Sequence, residues 1–211
     1  RGRLLDVGCG KRPYALIYDP LVAASIGTET TFTLHGTAEA DAICCAEALP
    51  FSSSSFDTIL CTEVLEHTQQ PFLVMQEFSR VLKPGGYLLL SVPFIYPIHE
   101  APHDYWRFTP HGLEAICRWA GFEIVHIRTK GGEVTTLVVI LQHFMIWGLN
   151  WLSRIIPGKP LRDAPIVRFL MFLFQKTWLR LAQLPFLARD DQSYKMSVGY
   201  FIIATKADSI E

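Results

Sequence analysis

Arg3-Leu4-Leu5-Asp6-Val7 runs straight into Gly8-Cys9-Gly10, and that junction constrains the chain more than any other stretch. A short apolar run stopped by paired glycines reads as a buried strand entering a glycine turn. Open α/β sheets bind their ligands beyond the carboxyl ends of such strands. Glycine there accepts positive φ and lets a ligand approach the backbone without meeting a Cβ. Glu29 closes a plausible second strand, Ser25–Glu29. It lies about 20 residues on, where a carboxylate can accept hydrogen bonds from ribose hydroxyls. The third glycine of the dinucleotide fingerprint is missing, because Lys11-Arg12-Pro13 follows instead.

The rest of the chain continues the alternation. Residues 41–45 and 56–61 read as further strands. Pro71 opens a helix whose apolar positions Phe72, Met75, Phe78, Val81 and Leu82 recur every three or four residues, giving one buried face. Lys83-Pro84-Gly85-Gly86 is expected to end that helix. Tyr87–Val92 is continuously apolar, as a central parallel strand covered on both faces must be. Thr109-Pro110 supplies an N-cap and a first-turn proline for a helix reaching Gly121. Residues 122–127 and 197–205 complete the set of strands. Strands alternating with helices imply a mainly parallel sheet.

Half of the residues are hydrophobic, so a chain of 211 residues can bury a sizeable core and is not globally disordered. The net charge of -1 makes no case for nucleic-acid binding. That average conceals an asymmetry. Residues 1–149 carry 10 Lys/Arg against 15 Asp/Glu, whereas residues 150–189 carry seven basic residues against Asp163 alone. The five cysteines form no CxxC pair, so no metal site is expected, and their apolar settings suggest reduced core thiols in a cytoplasmic protein.

Read together, LLDVGCG (4–10), AEALPF (46–51), FDTILCTEVLEH (56–67), RVLKPGGYLLLSVPF (80–94) and AGFEIV (120–125) are more specific than any one of them. In this order the set resembles the class I S-adenosylmethionine-dependent methyltransferases, in the type 11 branch related to small-molecule and quinone methylases. The resemblance covers about residues 3–129 plus the last strand. It implies a Rossmann-like fold, a mostly parallel seven-stranded sheet whose last strand, SVGYFIIAT, is antiparallel. It also implies S-adenosylmethionine as cofactor. Asp6, Gly8 and Gly10 would then cradle its methionine part, and Glu29 would hold the ribose. Cys45 and Ala46 fall where the family commonly has an Asp-Ala pair beside adenine, so Cys45 is a departure that removes a side-chain bond to the base. Cys61, Thr62 and Glu63 would close over the cofactor. The expected organisation is a methyltransferase domain of residues 1–132 and 190–211, with a helical insert at 133–189.

The segment after the fifth strand is the richest in chemistry: His99, Glu100, His103, Asp104, Tyr105, Trp106 and Arg107 lie within nine residues. Related methyltransferases often show a similar HExPxDYxRF pattern here, which resembles a substrate loop. His99 or His103 is the candidate base, since imidazole titrates near neutral pH. Arg107 could clamp an anionic acceptor bidentately. The alternative is that Asp104 and Arg107 brace the loop while Tyr105 and Trp106 plug the core. Glu66-His67 is a second candidate for catalysis, although in the resembled family the pair more often caps the turn into the next helix. The other histidines, His35, His111, His126 and His143, have no partner cluster in sequence and read as solvated or structural.

Within the insert, residues 137–156 are apolar over about the 20 positions that a membrane span needs. Five polar interruptions and the return to a core strand argue against spanning. Arg168, Lys176 and Arg180 fall at multiples of four, with Ile166, Phe169, Leu170, Leu173 and Trp178 around them. A cationic stripe with aromatics opposite suits a helix lying in an anionic membrane surface. A lid or a dimer surface suits the same pattern. The expected function is methyl transfer to a small molecule, including an apolar or lipid-linked one, in the cytoplasm or on the inner face of a membrane. The alternatives are an inactive S-adenosylmethionine-binding or membrane-associated protein and an NAD-dependent oxidoreductase.

Overall fold

The computed structural model describes residues 2–155, 164–182 and 196–207. Seven strands make one sheet in the order β3-β2-β1-β4-β5-β7-β6. They are β1 (Arg3–Val7), β2 (Ala24–Glu29), β3 (Ala42–Ile43), β4 (Phe56–Thr62), β5 (Leu82–Pro93), β6 (Phe122–Thr129) and β7 (Gly199–Lys206). β1 pairs in parallel with β2 and with β4, as β2 does with β3 and β4 with β5. The order reverses between β1 and β4, which opens a crevice at their carboxyl ends. β6 and β7 run antiparallel: the Ala207 amide donates to Gly121 O at 3.0 Å, and the Lys130 amide donates to Gly199 O at 2.7 Å.

The chain divides into two compact units, residues 1–128 with 200–211 and residues 129–199. In the first unit the aliphatic runs of β1, β4 and β5 are buried on both faces; Leu5, Ile59, Leu88 and Leu90 are all fully enclosed. The helix α2 (Pro71–Val81) buries Pro71, Val74, Met75, Phe78 and Val81. Phe72, expected on that face, instead stands half exposed, edge-on to Trp119 with ring centroids 5.1 Å apart. Thr109 caps α3 (Pro110–Trp119) as expected, its Oγ1 accepting from the Gly112 amide at 3.1 Å.

Lys83–Gly86 does more than end α2. Strand β5 already begins at Leu82, which pairs with Phe56, and the next register pair is Thr58 with Tyr87. The four residues therefore bulge out of the strand. A Cβ on Gly86 would come within 2.9 Å of the Lys83 carbonyl, so the bulge closes only around glycine. Nearby, Arg80 donates to Glu77 Oε2 at 2.7 Å and to the carbonyls of Phe51 and Leu49 at 2.6 and 2.9 Å. Glu77 Oε2 in turn accepts from the Leu49 amide at 2.8 Å. This clamp ties the segment after β3 to α2.

The second unit contains α4 (Glu133–Ile155) and α5 (Pro165–Ala182), which pack on one another. Residues 133–154 are long and apolar enough to cross a membrane, at a mean hydropathy of 1.3, and among the described residues no other helix is. Much of that apolar surface is open: Phe144 is 65% and Trp147 66% exposed. On α5, Phe169, Leu170, Phe172 and Leu173 are exposed, as are Arg168, Lys176 and Arg180. Phe172 sits on the cationic stripe rather than opposite it, with Lys176 Nζ 5.6 Å from its ring centroid. Residues 156–163 and 183–189 of the expected insert lie outside the described residues.

Candidate active site

Strand ends build a cavity of about 450 Å³ over the crevice. β1 delivers Val7 and Gly8, β2 delivers Thr28 and Glu29, and Glu63 and Val64 follow β4. Gly8 has φ +66, and a Cβ there would collide with Val64 Cγ2, so only glycine fits. Glu63, also on the wall, is held at φ +55. Its amide donates to Ser91 O at 3.0 Å and its Oε1 accepts from Ser91 Oγ at 2.8 Å. Those bonds hold a left-handed conformation that costs a non-glycine residue on the order of 1–3 kcal/mol.

Glu29 is 5% exposed and spans the glycine turn. Its Oε2 accepts from the Gly10 amide at 2.9 Å, and its Oε1 accepts from the Thr30 amide at 2.8 Å. A carboxylate has about four acceptor sites, so two bonds orient it and leave capacity for hydroxyls in the cavity. Gly10 itself does not line the cavity; its amide is given to Glu29. Asp6 lies behind the turn as well. Tyr18 Oη donates to its Oδ2 at 2.9 Å and accepts from Arg12 Nε at 3.2 Å. Burial pushes the Asp6 carboxyl up to about 6, against the pull of the Tyr18 bond. Arg12 stands at φ 48 where the dinucleotide fingerprint would continue, and its guanidinium reaches Ser25 Oγ at 2.7 Å and Asp41 at 3.2 Å. Asp6 therefore shapes the turn from below.

Cys45 and Ala46 line the cavity, Cys45 with its side chain exposed rather than in the core. Cys61 and Thr62 do not: Cys61 is fully buried in β4, where burial raises its thiol pKa. Of the loop after β5, His103, Tyr105 and Glu100 reach the cavity. His103 Nδ1 is 3.1 Å from Tyr105 Oη. His99, Asp104, Trp106 and Arg107 stand behind it. Arg107 donates to both Asp104 oxygens, at 2.5 and 2.7 Å, and the His99 amide donates to Oδ2 at 2.8 Å. The guanidinium holds the Asp104 carboxyl well below the usual range. The pair is the brace of the loop, with Trp106 Nε1 donating to Thr68 O at 2.9 Å.

Two side chains that sequence treated as minor belong to this site. His67 lines the cavity and donates from Nδ1 to His103 O at 2.7 Å, so Glu66-His67 anchors the loop and does not cap α2, whose N-cap Gln70 makes no side-chain bond. His35, expected to stand alone, meets Glu100 Oε1 at 2.9 Å across 65 residues of sequence, while Phe32 packs on His103 with centroids 5.7 Å apart. All four residues line the cavity. Of the remaining histidines, His111 faces Glu114 at 3.5 Å on the surface and His143 Nδ1 bonds Val139 O at 2.7 Å within α4.

A doubly wound sheet with a glycine turn, a ribose-height carboxylate and a cavity at the order reversal defines a nucleotide-cofactor-binding α/β domain. A family model described as a methyltransferase domain matches residues 5–90. The ubiquinone biosynthesis O-methyltransferase of Paracidovorax citrulli (strain AAC00-1) is 30% identical over an alignment 164 residues long that covers 64% of this chain and 68% of that protein. The probable pectin methyltransferase QUA2 of Arabidopsis thaliana is 29% identical over 124 residues, 54% of this chain and 18% of that one. The chain thus spans under a fifth of one relative and about two thirds of the other. The [4+2]-cyclase SpnF, a solved structure 19% identical to this chain, shares its fold with a TM-score of 0.60, over 98% of this chain and 75% of its own. The chain belongs to the S-adenosylmethionine-dependent methyltransferases.

Proposed function

We propose that this chain binds S-adenosylmethionine in the cavity over β1 and β2 and methylates a small-molecule oxygen. The observation that carries the reading is Glu29, fixed by two backbone amides at the rim of a turn that only glycine can form. These residues fit the cofactor: Glu29 would accept from the ribose hydroxyls, Gly8 gives close backbone approach, and Cys45 and Ala46 would flank the adenine through backbone contacts. When bound, S-adenosylmethionine supplies a sulfonium methyl group that a nucleophile displaces in line. Holding that nucleophile in position can supply much of the acceleration. A hydroxyl acceptor must also lose its proton, and the position of His103 on the wall beside Tyr105 supports it as the base. The name of the ubiquinone enzyme supports oxygen as the acceptor atom.

Calorimetric titration with S-adenosylhomocysteine tests the site. We expect micromolar binding, about -8 kcal/mol, reduced about 10-fold or more in Glu29→Ala, since hydrogen bonds to a charged group are worth about 1.5–3 kcal/mol. A folded protein that prefers NADH, or binds neither, would sink the reading.

A finer reading concerns the acceptor. The open aromatic surface of α4 and α5, with Arg168, Lys176 and Arg180 on it, favours contact with an anionic membrane surface and an apolar or lipid-linked acceptor. Flotation with vesicles containing anionic lipid should carry the protein upward. Failure to float at low salt would remove the membrane from the account.

A further inference from the structure

At the cavity wall, Glu66, His67 and His99 offer three ligand atoms that all lie within 4.8 Å of one another. We propose that they bind one divalent transition-metal ion of the zinc class. The expectation of no metal site rested on the cysteines; this cluster involves none of them. It joins the turn after β4 to the loop after β5, 32 positions later in the chain, so no sequence spacing announces it.

The geometry carries the proposal. His67 Nε2 is 3.7 Å and His99 Nε2 is 3.9 Å from the same atom, Glu66 Oε1. Ions of this class bind imidazole nitrogen and carboxylate oxygen at about 2.0–2.2 Å, so two ligands of one ion stand no more than about 4.4 Å apart. The two Glu66 distances exceed the roughly 3.3–3.6 Å of a tetrahedral pair at those bond lengths by only tenths of an ångström, and all three atoms lie within 4.8 Å of one another. Glu66 is fully buried and the imidazoles are largely so, with side chains 16% and 26% exposed.

The outer nitrogen of His67 gives the second, independent sign. His67 Nδ1 donates to His103 O at 2.7 Å, which leaves Nε2 as the lone-pair nitrogen of the neutral ring. His99 Nδ1 lies 3.2 Å from Asp104 Oδ2. A metal-bound histidine almost always gives its other nitrogen to a carbonyl or a carboxylate; His67 does so, and the Asp104 carboxylate lies beside the corresponding nitrogen of His99 without a hydrogen bond between them. Arg107 neutralises Asp104, so the carboxylate beside His99 adds no uncompensated charge. The rings meet edge to face with centroids 4.7 Å apart, presenting both Nε2 atoms to one carboxylate. Two imidazoles and one carboxylate leave further positions for water or an acceptor oxygen, and His67 borders the cavity.

The test needs no activity. The full chain is stripped with EDTA and titrated with Co²⁺ while visible absorption is followed; the thermal midpoint is then measured with Zn²⁺ and without it. We expect a d–d band saturating at one equivalent and a midpoint raised by Zn²⁺. His99→Gln and His67→Gln, shown by circular dichroism to be folded, should each weaken Co²⁺ binding at least about 10-fold. Absence of the band in folded wild type overturns the proposal, as does unchanged binding in both variants. These readouts are independent of S-adenosylhomocysteine binding, so the cofactor reading stands or falls separately.

Discussion

The sheet unit and the helical unit are both rich in apolar residues, yet they dispose of them in opposite ways. In the sheet unit Leu5, Phe56, Ile59 and Leu90 have no solvent exposure, because two faces of one sheet are covered. On α4, Phe144, Trp147 and Trp151 are more than half exposed, and Val138 is enclosed near its start. An apolar residue in the first unit is explained by the core. In the second, large apolar side chains stay exposed on the helix itself. Hydrophobicity therefore goes with burial in one part of this molecule and with exposure in the other.

The sharpest way to break that contrast is a matched pair of truncations. Phe56→Ala should cost about 3–5 kcal/mol of stability in urea unfolding, as a fully buried ring does. Arg107→Ala comes next: it leaves the buried Asp104 carboxylate without its partner, at about 3 kcal/mol. Equal midpoints for this variant and wild type would mean that the brace contributes nothing.

Asp6 gives a test by pH. Its carboxyl is raised from 3.8 to about 6 in the folded state, so between these values the native protein holds a proton that the unfolded chain has lost. The contribution of Asp6 is fully present below about pH 4 and is lost as pH rises through 6. Two units amount to roughly 3 kcal/mol. Asp6→Asn should therefore gain stability relative to wild type between pH 4 and pH 7, and parallel unfolding curves at the two pH values would refute the assignment. The smallest effect belongs to the helical unit: Phe144→Ala should change stability by no more than about 0.5 kcal/mol. A loss as large as that of Phe56→Ala would erase the distinction between the two units.

Much of the sheet unit was legible because its signals are local. The aliphatic runs of β1, β4 and β5 need no partner to be recognised, nor does the Thr109-Pro110 start of α3. Where neighbours decide, local reading missed. Phe72 has the right period for the buried face, but Trp119 holds it outside. Lys83–Gly86 has the composition of a helix stop, and Phe56 and Thr58 turn it into a bulge of β5. The aromatics of α5 were assigned to the side away from its cations, yet Phe172 lies under Lys176.

The chain's own residues determined the glycine turn, the ribose-height acid and the methyltransferase family, because each depends on φ freedom, strand period or short spacing. Tertiary structure alone decided which polar side chains share a site. It set Asp6 beneath the turn, His35 against Glu100, and Glu66 and His67 against His99. Contacts across tens of residues follow from how the strand ends converge, and no local spacing encodes that convergence.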